Sequence, residues 1–233
     1  MPPASADALL RSRIFDGLTD LERERWLGES EQVVLKRGQP LARQGEPARR
    51  FYLVECGFLK LTQVTADGDE VIVRFVGPGE PFGGVVALKQ ADYPVTALAV
   101  VHQTQVRAWP YERLAALLDA FPQVRLNIMR EMTAHMTDAL TRVRELTTER
   151  VGQRLAHTLL RLARQCGEPT KEGVLIAHPL TRQELAEMTG TTLYTVSRTL
   201  RRWETAGVLR SEGRRLIVRS TTRLTDLAGD EED

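Results

Sequence analysis

The segment TRQELAEMTGTTLYTVSRTLRRWETAG, residues 181–207, carries the side chains in this chain that are best suited to contacting DNA. Thr181 and Glu184 form a T-x-x-E capping box, which satisfies free backbone N–H groups at the start of a helix. Gly190 accepts the left-handed backbone that a tight turn between two helices requires. We therefore predict a short helix that begins at Thr181 and ends near Gly190.

A second helix is expected directly after this turn. Thr191 or Thr192 can cap its start, and Ala206-Gly207 can end it. Val196, Leu200 and Trp203 recur at spacings of four and three, so they share the face that would be buried. The two helices together form the pattern of a helix-turn-helix.

The opposite face of the second helix is polar. An arginine near the start of such a helix can bind guanine through two hydrogen bonds in the major groove. The alternative is an ordinary helical hairpin with a solvated, charged face. The residues predicted to contact DNA are Thr181, Arg182, Thr191, Thr192, Tyr194, Thr195, Ser197, Arg198, Arg201 and Arg214.

The sequence VLRSEGRRLIVR, residues 208–219, predicts a β-hairpin around Glu212-Gly213, in the position of a wing after the two helices. Residues 181–223 contain nine Arg and four Asp or Glu, a local balance of +5, although the whole chain has a net charge of +1. Five acids in residues 226–233 conceal this excess. Local positive charge favours DNA because neutralising phosphates supplies most non-specific affinity.

The region before this module has two different patterns. Between Gln32 and Trp109, short β-rich runs separated by glycines indicate a small antiparallel barrel or sandwich, and Asp67-Gly68-Asp69 suits a hairpin tip. From Pro122 the pattern is helical. A coiled-coil seam with steps of three and four follows, which favours a parallel homodimer. The residues predicted for this dimer interface are Met129, Met132, Met136, Ala139, Val143 and Leu146.

The alternative for this helix is packing against its own β domain, a role we assign to Ile128 and Leu140. Residues 167–173 are expected to form a loop. The chain has 42% hydrophobic and 27% charged residues, with no apolar run long enough to span a membrane and no signal-peptide pattern. We therefore expect a cytoplasmic protein. Cys56 and Cys166 are expected to be unpaired thiols, and no metal site or catalytic constellation is predicted.

The order of these parts resembles the CRP/FNR family of bacterial transcription regulators. Its most specific pieces are LTRQELAEMTGTTLYTVSRTL and VGPGEPFGG, which looks like the family's phosphate-cassette loop. The resemblance implies an α+β fold: an antiparallel β-roll (a double-stranded β-helix, cupin-like), a long dimerisation helix and a winged helix-turn-helix. It implies a homodimer on palindromic double-stranded DNA, controlled by a small-molecule effector, with RNA polymerase as a further partner. The expected domains are residues 1–120 (N-terminal helix and sensor), 121–150 (dimerisation helix and hinge), 151–225 (DNA binding) and 226–233 (acidic tail).

The expected effector site departs from the cAMP-responsive members. Their Gly-Glu-Leu step is replaced by Gly83-Gly84-Val85, their Arg-Ser by Pro94 and Val95, and their adenine-contacting Thr-Ser by Ala139 and Leu140. Without these groups the charge-assisted hydrogen bonds to a phosphate are lost, so cAMP is not expected to bind unless Arg74 or Lys89 supplies the cation. The residues predicted to line the effector pocket are Phe82, Gly83, Gly84, Val85, Pro94, Val95, Thr96 and Ala139.

These residues would make a largely apolar pocket, which could suit a lipophilic effector. Two alternatives stay open. The sequence YPVTA, residues 93–97, and the helix TGTTLYTVSR are similar to the nitrite- and nitric-oxide-responsive, NnrR-like branch of the family, which makes haem a candidate cofactor. His102, His135, His157 and His178 are each expected to be surface or structural residues and not ligands. The other alternative is a DNA-binding dimer that has no effector and is controlled by its abundance.

Overall fold

The computed structural model describes residues 9–68, 70–84 and 91–229. The chain divides into two compact units between Asp138 and Ala139, within one long helix. Within the described residues, no helix is long and apolar enough to cross a membrane. The predicted α+β class, with an antiparallel β domain followed by a mainly helical module, is confirmed.

The first unit begins with helical turns. A 3-10 turn at Arg13–Phe15 is followed by α1, Asp20–Gly28, which Thr19 and Glu22 start with a capping box. Residues 1–8, at the start of the region expected to contain the N-terminal helix, lie outside the described residues. The side chain of Trp26 at the end of α1 is fully buried, so this helix covers the core of the β domain.

Within its described residues, the β domain contains the strands β1 (Glu31–Leu35), β2 (Pro40–Ala42), β3 (Arg50–Cys56), β4 (Leu59–Val64), β5 (Glu70–Val76), β6 (Pro81–Phe82), β7 (Thr96–Ala99) and β8 (Thr104–Pro110). Two antiparallel four-stranded sheets result, ordered β1-β8-β3-β6 and β2-β7-β4-β5. The predicted hairpin tip lies between β4 and β5, where Gly68 has a φ of +89°; Asp69 is outside the described residues. The short strands β2 and β6 and the buried strand β8 were not predicted individually.

An aromatic cluster fills the core of this unit. The ring centroids of Trp26 and Trp109 lie 5.7 Å apart, and the ring of Phe15 lies 5.9 Å from that of Trp26. Trp109 Nε1 donates a hydrogen bond of 3.0 Å to the carbonyl oxygen of Trp26. Both Trp residues are fully buried, so the N-terminal helix and strand β8 fold as one body.

Two helices follow the sheets: α2, Tyr111–Ala120, and α3, Pro122–Thr148. The predicted start of the long helix at Pro122 is confirmed, and Ile128 is buried as expected. The expectation for Leu140 is wrong, because its side chain is 64% exposed. Leu140 is twelve residues after Ile128, a rotation of about 120° at roughly 100° per residue, which takes it off the face that meets the β domain.

The second unit contains α4 (Val151–Cys166), β9 (Gly167–Thr170), β10 (Gly173–Ile176), α5 (Arg182–Thr189), α6 (Leu193–Thr205), β11 (Leu209–Glu212), β12 (Arg215–Val218) and α7 (Thr221–Ala228). The predicted loop 167–173 is a β-hairpin instead, which joins the wing in a sheet ordered β11-β12-β10-β9. Helix α7 buries Leu224 and Ala228, so residues 226–228 belong to the folded unit. Residues 230–233 of the predicted tail lie outside the described residues.

Candidate nucleic-acid interface and effector cavity

The predicted turn between α5 and α6 is present in full. Thr181 Oγ1 accepts a hydrogen bond from the backbone N–H of Glu184 at 3.1 Å, and a carboxylate oxygen of Glu184 accepts one from the backbone N–H of Thr181 at 2.9 Å. Gly190 has φ 59° and ψ 47°, the left-handed conformation in which glycine avoids a Cβ clash. The turn therefore fixes where α6 begins.

Helix α6 separates a buried stripe from a polar face. Thr192 caps its start, since its Oγ1 accepts a hydrogen bond of 3.2 Å from the backbone N–H of Thr195. Val196, Leu200 and Trp203 are all buried, as predicted. Because the buried stripe fixes the rotation of the helix, the opposite side is held toward solvent.

The outward face of α6, called here the reading face, forms a shallow groove. Its lining residues are Tyr194, Ser197, Arg198, Arg201, Arg202, Thr205 and Ala206. The side chain of Tyr194 is 72% exposed, and the guanidinium carbon of Arg198 lies 5.9 Å from the centroid of its ring. This contact of an aromatic face with a cation holds Arg198 beside Tyr194.

The other predicted DNA contacts differ in how open they are. Thr192, Arg201 and Arg214 are exposed, while Arg182, Thr191, Thr195 and Ser197 are partly covered. The hydroxyl of Thr181 is occupied by the cap with Glu184. Arg202 and Thr205 of the reading face were missed, although their spacing of four from Arg198 and Arg201 could have indicated them.

The hairpin β11–β12 turns at Gly213-Arg214, one residue later than predicted, with Glu212 paired to Arg215. Gly213 has a φ of +62°, which fits the first central position of a tight turn. Two other cations near this hairpin are neutralised: Arg210 lies 2.5 Å from Glu172 and 2.8 Å from Glu212, and Arg219 lies 3.8 Å from Glu172. The glutamates also raise the pKa of Arg210.

A cavity of about 220 Å³ lies in the first unit between the sheets and the start of α3. Five of the predicted pocket residues line it: Phe82, Gly83, Gly84, Pro94 and Val95. Thr96 does not, because side chains alternate along strand β7 and its Oγ1 instead accepts a hydrogen bond of 3.0 Å from the backbone N–H of Gln44. Ala139 is absent from the lining, which on α3 ends at His135, and Val85 lies outside the described residues.

Several lining residues were not predicted for this cavity: Phe51, Leu61, Pro81, Tyr93, Ile128, Glu131, Met132 and His135. Arg74, the cation considered as a substitute in the sequence, lines it as well. One Nη of Arg74 lies 3.1 Å from a carboxylate oxygen of Glu80, and its Nε donates a hydrogen bond of 3.1 Å to the carbonyl oxygen of Phe75. Among the described lining residues, the arginine is therefore already paired, and Lys89, the other cation considered in the sequence, lies outside the described residues.

His135 faces the cavity, a position that the sequence did not indicate. Burial and, to a smaller extent, the charge of Arg74 lower the pKa of His135 to about 4. It is therefore neutral at pH 7. His178 is fully buried, its Nδ1 lies 3.3 Å from Cys166 Sγ, and burial also lowers its pKa to about 4, which fits the predicted structural role.

Cys56 and Cys166 are not joined in a disulfide. Among the described residues, no group of three or more His, Cys, Asp or Glu side chains could hold a metal ion.

The sequence profile of the cyclic nucleotide-binding domain matches residues 32–121, and that of the Crp-like helix-turn-helix domain matches residues 153–227. The transcriptional activator protein FnrA of Stutzerimonas stutzeri is 31% identical over 195 residues, covering 84% of this chain and 79% of that protein. The chain belongs to the CRP/FNR family. It is a DNA-binding transcription regulator.

Other relatives of this CRP/FNR regulator carry different names. The cyclic AMP receptor protein of Thermus thermophilus is 29% identical over 217 residues, covering 93% of this chain and 97% of that protein. The solved structure of FixK2 from Bradyrhizobium japonicum matches with a TM-score of 0.75 and 25% identity, covering 85% of this chain and 96% of that one. Membership of the family therefore does not by itself identify the effector.

Helix α3 of this CRP/FNR regulator carries an exposed apolar stripe at the seam positions. The exposed fractions are 58% for Met129, 40% for Met132, 60% for Met136, 60% for Val143 and 49% for Leu146. Ala139 is exposed as well. A second helix that covers large apolar side chains at heptad spacing is favoured, because the contact removes their surface from water.

Within the second unit, Arg154 joins the end of α3 to the helix-turn-helix. Its guanidinium donates hydrogen bonds to the carbonyl oxygens of Glu149 at 2.8 Å, Thr189 at 3.0 Å and Gly190 at 3.5 Å. Nearby, the buried side chains of Arg161 and Glu145 form an ion pair at 2.5 Å. These contacts fix the orientation of α5, and therefore of the turn that starts α6, relative to the last turn of α3.

Proposed function

We propose that this regulator binds a palindromic operator as a parallel homodimer, with α6 of each protomer in the major groove of one half-site. The reading face is the observation that carries this proposal. Three arginines, Arg198, Arg201 and Arg202, stand on the exposed side of a helix whose other side is locked in the core. A helix held in this way presents its polar side chains to base edges and phosphates.

The roles within the reading face follow from chemistry. Arg198 lies in the first half of α6, where it can donate two hydrogen bonds to N7 and O6 of a guanine. Tyr194 offers its ring to a thymine methyl group, while its contact with the Arg198 guanidinium orients the arginine. Thr192, Thr195, Arg201, Arg202 and Arg214 are placed to contact phosphates, which set the position of the helix on the duplex.

The homodimer proposal is supported by the exposed seam of α3. A twofold axis that runs along the paired helices would make them parallel and would place the two reading faces on one side of the assembly. Two half-sites about one helical turn apart, roughly 34 Å, would then be contacted together. RNA polymerase is the further protein partner that we propose, because the relative FnrA is named a transcriptional activator. The cytoplasm, where the chromosome lies, is the proposed location.

The proposed effector is a small, mostly apolar molecule bound in the cavity of the first unit. The charges around this cavity oppose an anion. Glu80, outside the lining, already pairs with Arg74, and Glu131 is the carboxylate of the described lining, 3.9 Å from a guanidinium nitrogen of Arg13. A cyclic phosphate would have to displace Glu80 and approach Glu131, so we propose that cAMP is not the effector, although the Thermus relative is named a cyclic AMP receptor protein.

Haem is a second candidate, supported by the neutral imidazole of His135 facing an apolar cavity. The volume argues against it. About 220 Å³ is less than the roughly 300–1,000 Å³ of typical small-molecule sites. We expect no Soret band when purified protein is supplied with haem. A Soret band that the substitution His135→Ala removes would support haem instead.

Selection of bound sequences from random duplex DNA, with and without cell extract, tests the proposed function. We expect enrichment of a palindrome with a guanine at one fixed position of each half-site. The matched variant Arg164→Ala, on an exposed arginine of α4 outside the reading face, should select the same sequence. Absence of any enriched sequence in both conditions would contradict the proposal.

A further inference from the structure

A second concave surface lies in the first unit, between α2 and the first half of α3. This surface, called here the α2–α3 groove, has a volume of about 580 Å³. Its floor is formed by the buried side chains of Leu114, Leu118 and Ile128. Filling a groove of this size with apolar side chains is favourable, because it removes the apolar floor from water.

The α2–α3 groove is continuous with the dimer seam. Met129 and Met132 line the groove, and they are also the first two residues of the heptad pattern. Their side chains are 58% and 40% exposed. In its first half, the seam is therefore flanked by α2, and the two helices together line one groove.

We propose that a second copy of this chain fills the α2–α3 groove, so that α2 forms part of the dimer interface. By twofold symmetry each protomer both offers a groove and fills one. The large apolar side chains that the first half of α3 exposes are the two methionines and Leu126, which is 44% exposed. Methionine adapts to irregular spaces more readily than branched residues do.

The walls of the groove fit this occupant. Ala115 on α2 is partly exposed, and its small side chain leaves space where a larger one would fill the groove. At one end, Arg125 and Asp119 form an ion pair at 2.6 Å, both largely exposed. An apolar centre with a polar rim is the usual arrangement of a protein interface.

The inference rests on the proposed homodimer, and one pair of variants separates the two. Ala115→Arg places a long charged side chain in the groove, whereas Ala116→Arg places it on the exposed side of the same helix, outside the groove. Alanine and arginine are both good helix formers. Sedimentation of the full chain should show a dimer dissociation constant raised by about tenfold or more for Ala115→Arg and unchanged within about twofold for Ala116→Arg.

A milder pair guards against misfolding of the arginine variant. In a Cys56→Ser background, a thiol reagent should label Ala115→Cys slowly at high protein concentration and faster after dilution below the dissociation constant. Ala116→Cys should react at one rate throughout. Slow labelling of Ala115→Cys that dilution does not relieve would mean that its own chain or a small ligand covers the groove, and would overturn the inference.

Met136→Glu separates the remaining outcomes, since this seam residue lies outside the groove. If Met136→Glu dissociates the dimer while Ala115→Arg behaves like Ala116→Arg, the groove is not part of the interface and the inference is wrong. If the wild-type chain is monomeric at every concentration, the homodimer proposal itself fails, and the inference with it.

Discussion

The reading face of α6 and the cavity of the β domain both contain arginine, but they present it in opposite ways. Arg198 and Arg201 are exposed on the reading face. The side chain of Arg74 in the cavity is only 11% exposed and lies 3.1 Å from Glu80. An arginine open to solvent can neutralise a phosphate, whereas an arginine that already has a carboxylate partner resists a second anion.

The comparison teaches that a family resemblance transfers unevenly along the chain. The helix-turn-helix keeps the cap, the turn, the buried stripe and the cations that DNA binding requires. The β domain matches the cyclic nucleotide-binding profile, but the arginine of its cavity is already paired with Glu80.

The largest effect is expected from Met136→Glu on the exposed seam. A carboxylate at this position meets its symmetry mate in the dimer, and separating the protomers removes the simultaneous contact with two half-sites. Affinity for the palindrome should fall roughly 10²–10⁴-fold, as measured by fluorescence anisotropy. Thr137→Glu, one residue away and exposed, is the matched control and should stay within about threefold of wild type.

The next effect concerns Arg198 on the reading face. Arg198→Ala should weaken binding to the selected operator by about 1–3 kcal/mol, with the loss of preference confined to one base position of each half-site. Arg202→Ala should instead weaken selected and random DNA to the same extent, as a phosphate contact does. Competition binding with substituted operators measures both. An equal loss on all sequences for Arg198→Ala would refute its assignment to a base.

A smaller effect should appear when the cation of the cavity is released. Glu80→Gln removes the charge that pairs with Arg74 but keeps an oxygen to accept the hydrogen bond from the backbone N–H of Gly77. Isothermal titration with cAMP should detect no micromolar binding to the wild type and weak new binding to the variant. Micromolar binding to the wild type would contradict the contrast between the two regions.

The smallest effect is a pH dependence of stability. The pKa of His135 is lowered from 6.5 to about 4 in the folded chain. Between pH 6.5 and pH 4 the imidazole is therefore mostly protonated in the unfolded chain and mostly neutral in the folded chain. This contribution to stability is present at neutral pH and is lost as the pH falls from about 6.5 to 4. Urea unfolding at pH 7 and pH 5 should differ less for His135→Gln than for wild type. His102→Gln, at an exposed residue, should not change the difference.

The sequence predicted the helix-turn-helix closely because local rules decide it. The capping box at Thr181, the left-handed Gly190 and the stripe of Val196, Leu200 and Trp203 all depend on residues within a few turns of one another. The wing turn was misplaced by one residue, since the register of a hairpin depends on pairing along both strands.

Features that depend on distant partners were harder to predict. The hairpin β9–β10 looks like a polar loop in sequence and becomes a sheet because β12 pairs with β10. His135 and Glu131 are polar residues of a long helix, and only the packing of that helix on the sheets turns them toward the cavity. Leu140 was misassigned because it lies about 120° around the helix from Ile128, so the two residues do not share the face that meets the β domain.

The most direct test of the central claim is a hydroxyl-radical footprint of the wild-type protein on its selected operator. Paired reading faces predict two protected segments related by symmetry, with centres about 10–10.5 base pairs apart, and Met136→Glu should lose both segments together. A single protected segment, or protection that Met136→Glu leaves intact, would contradict a dimer that reads DNA through α6.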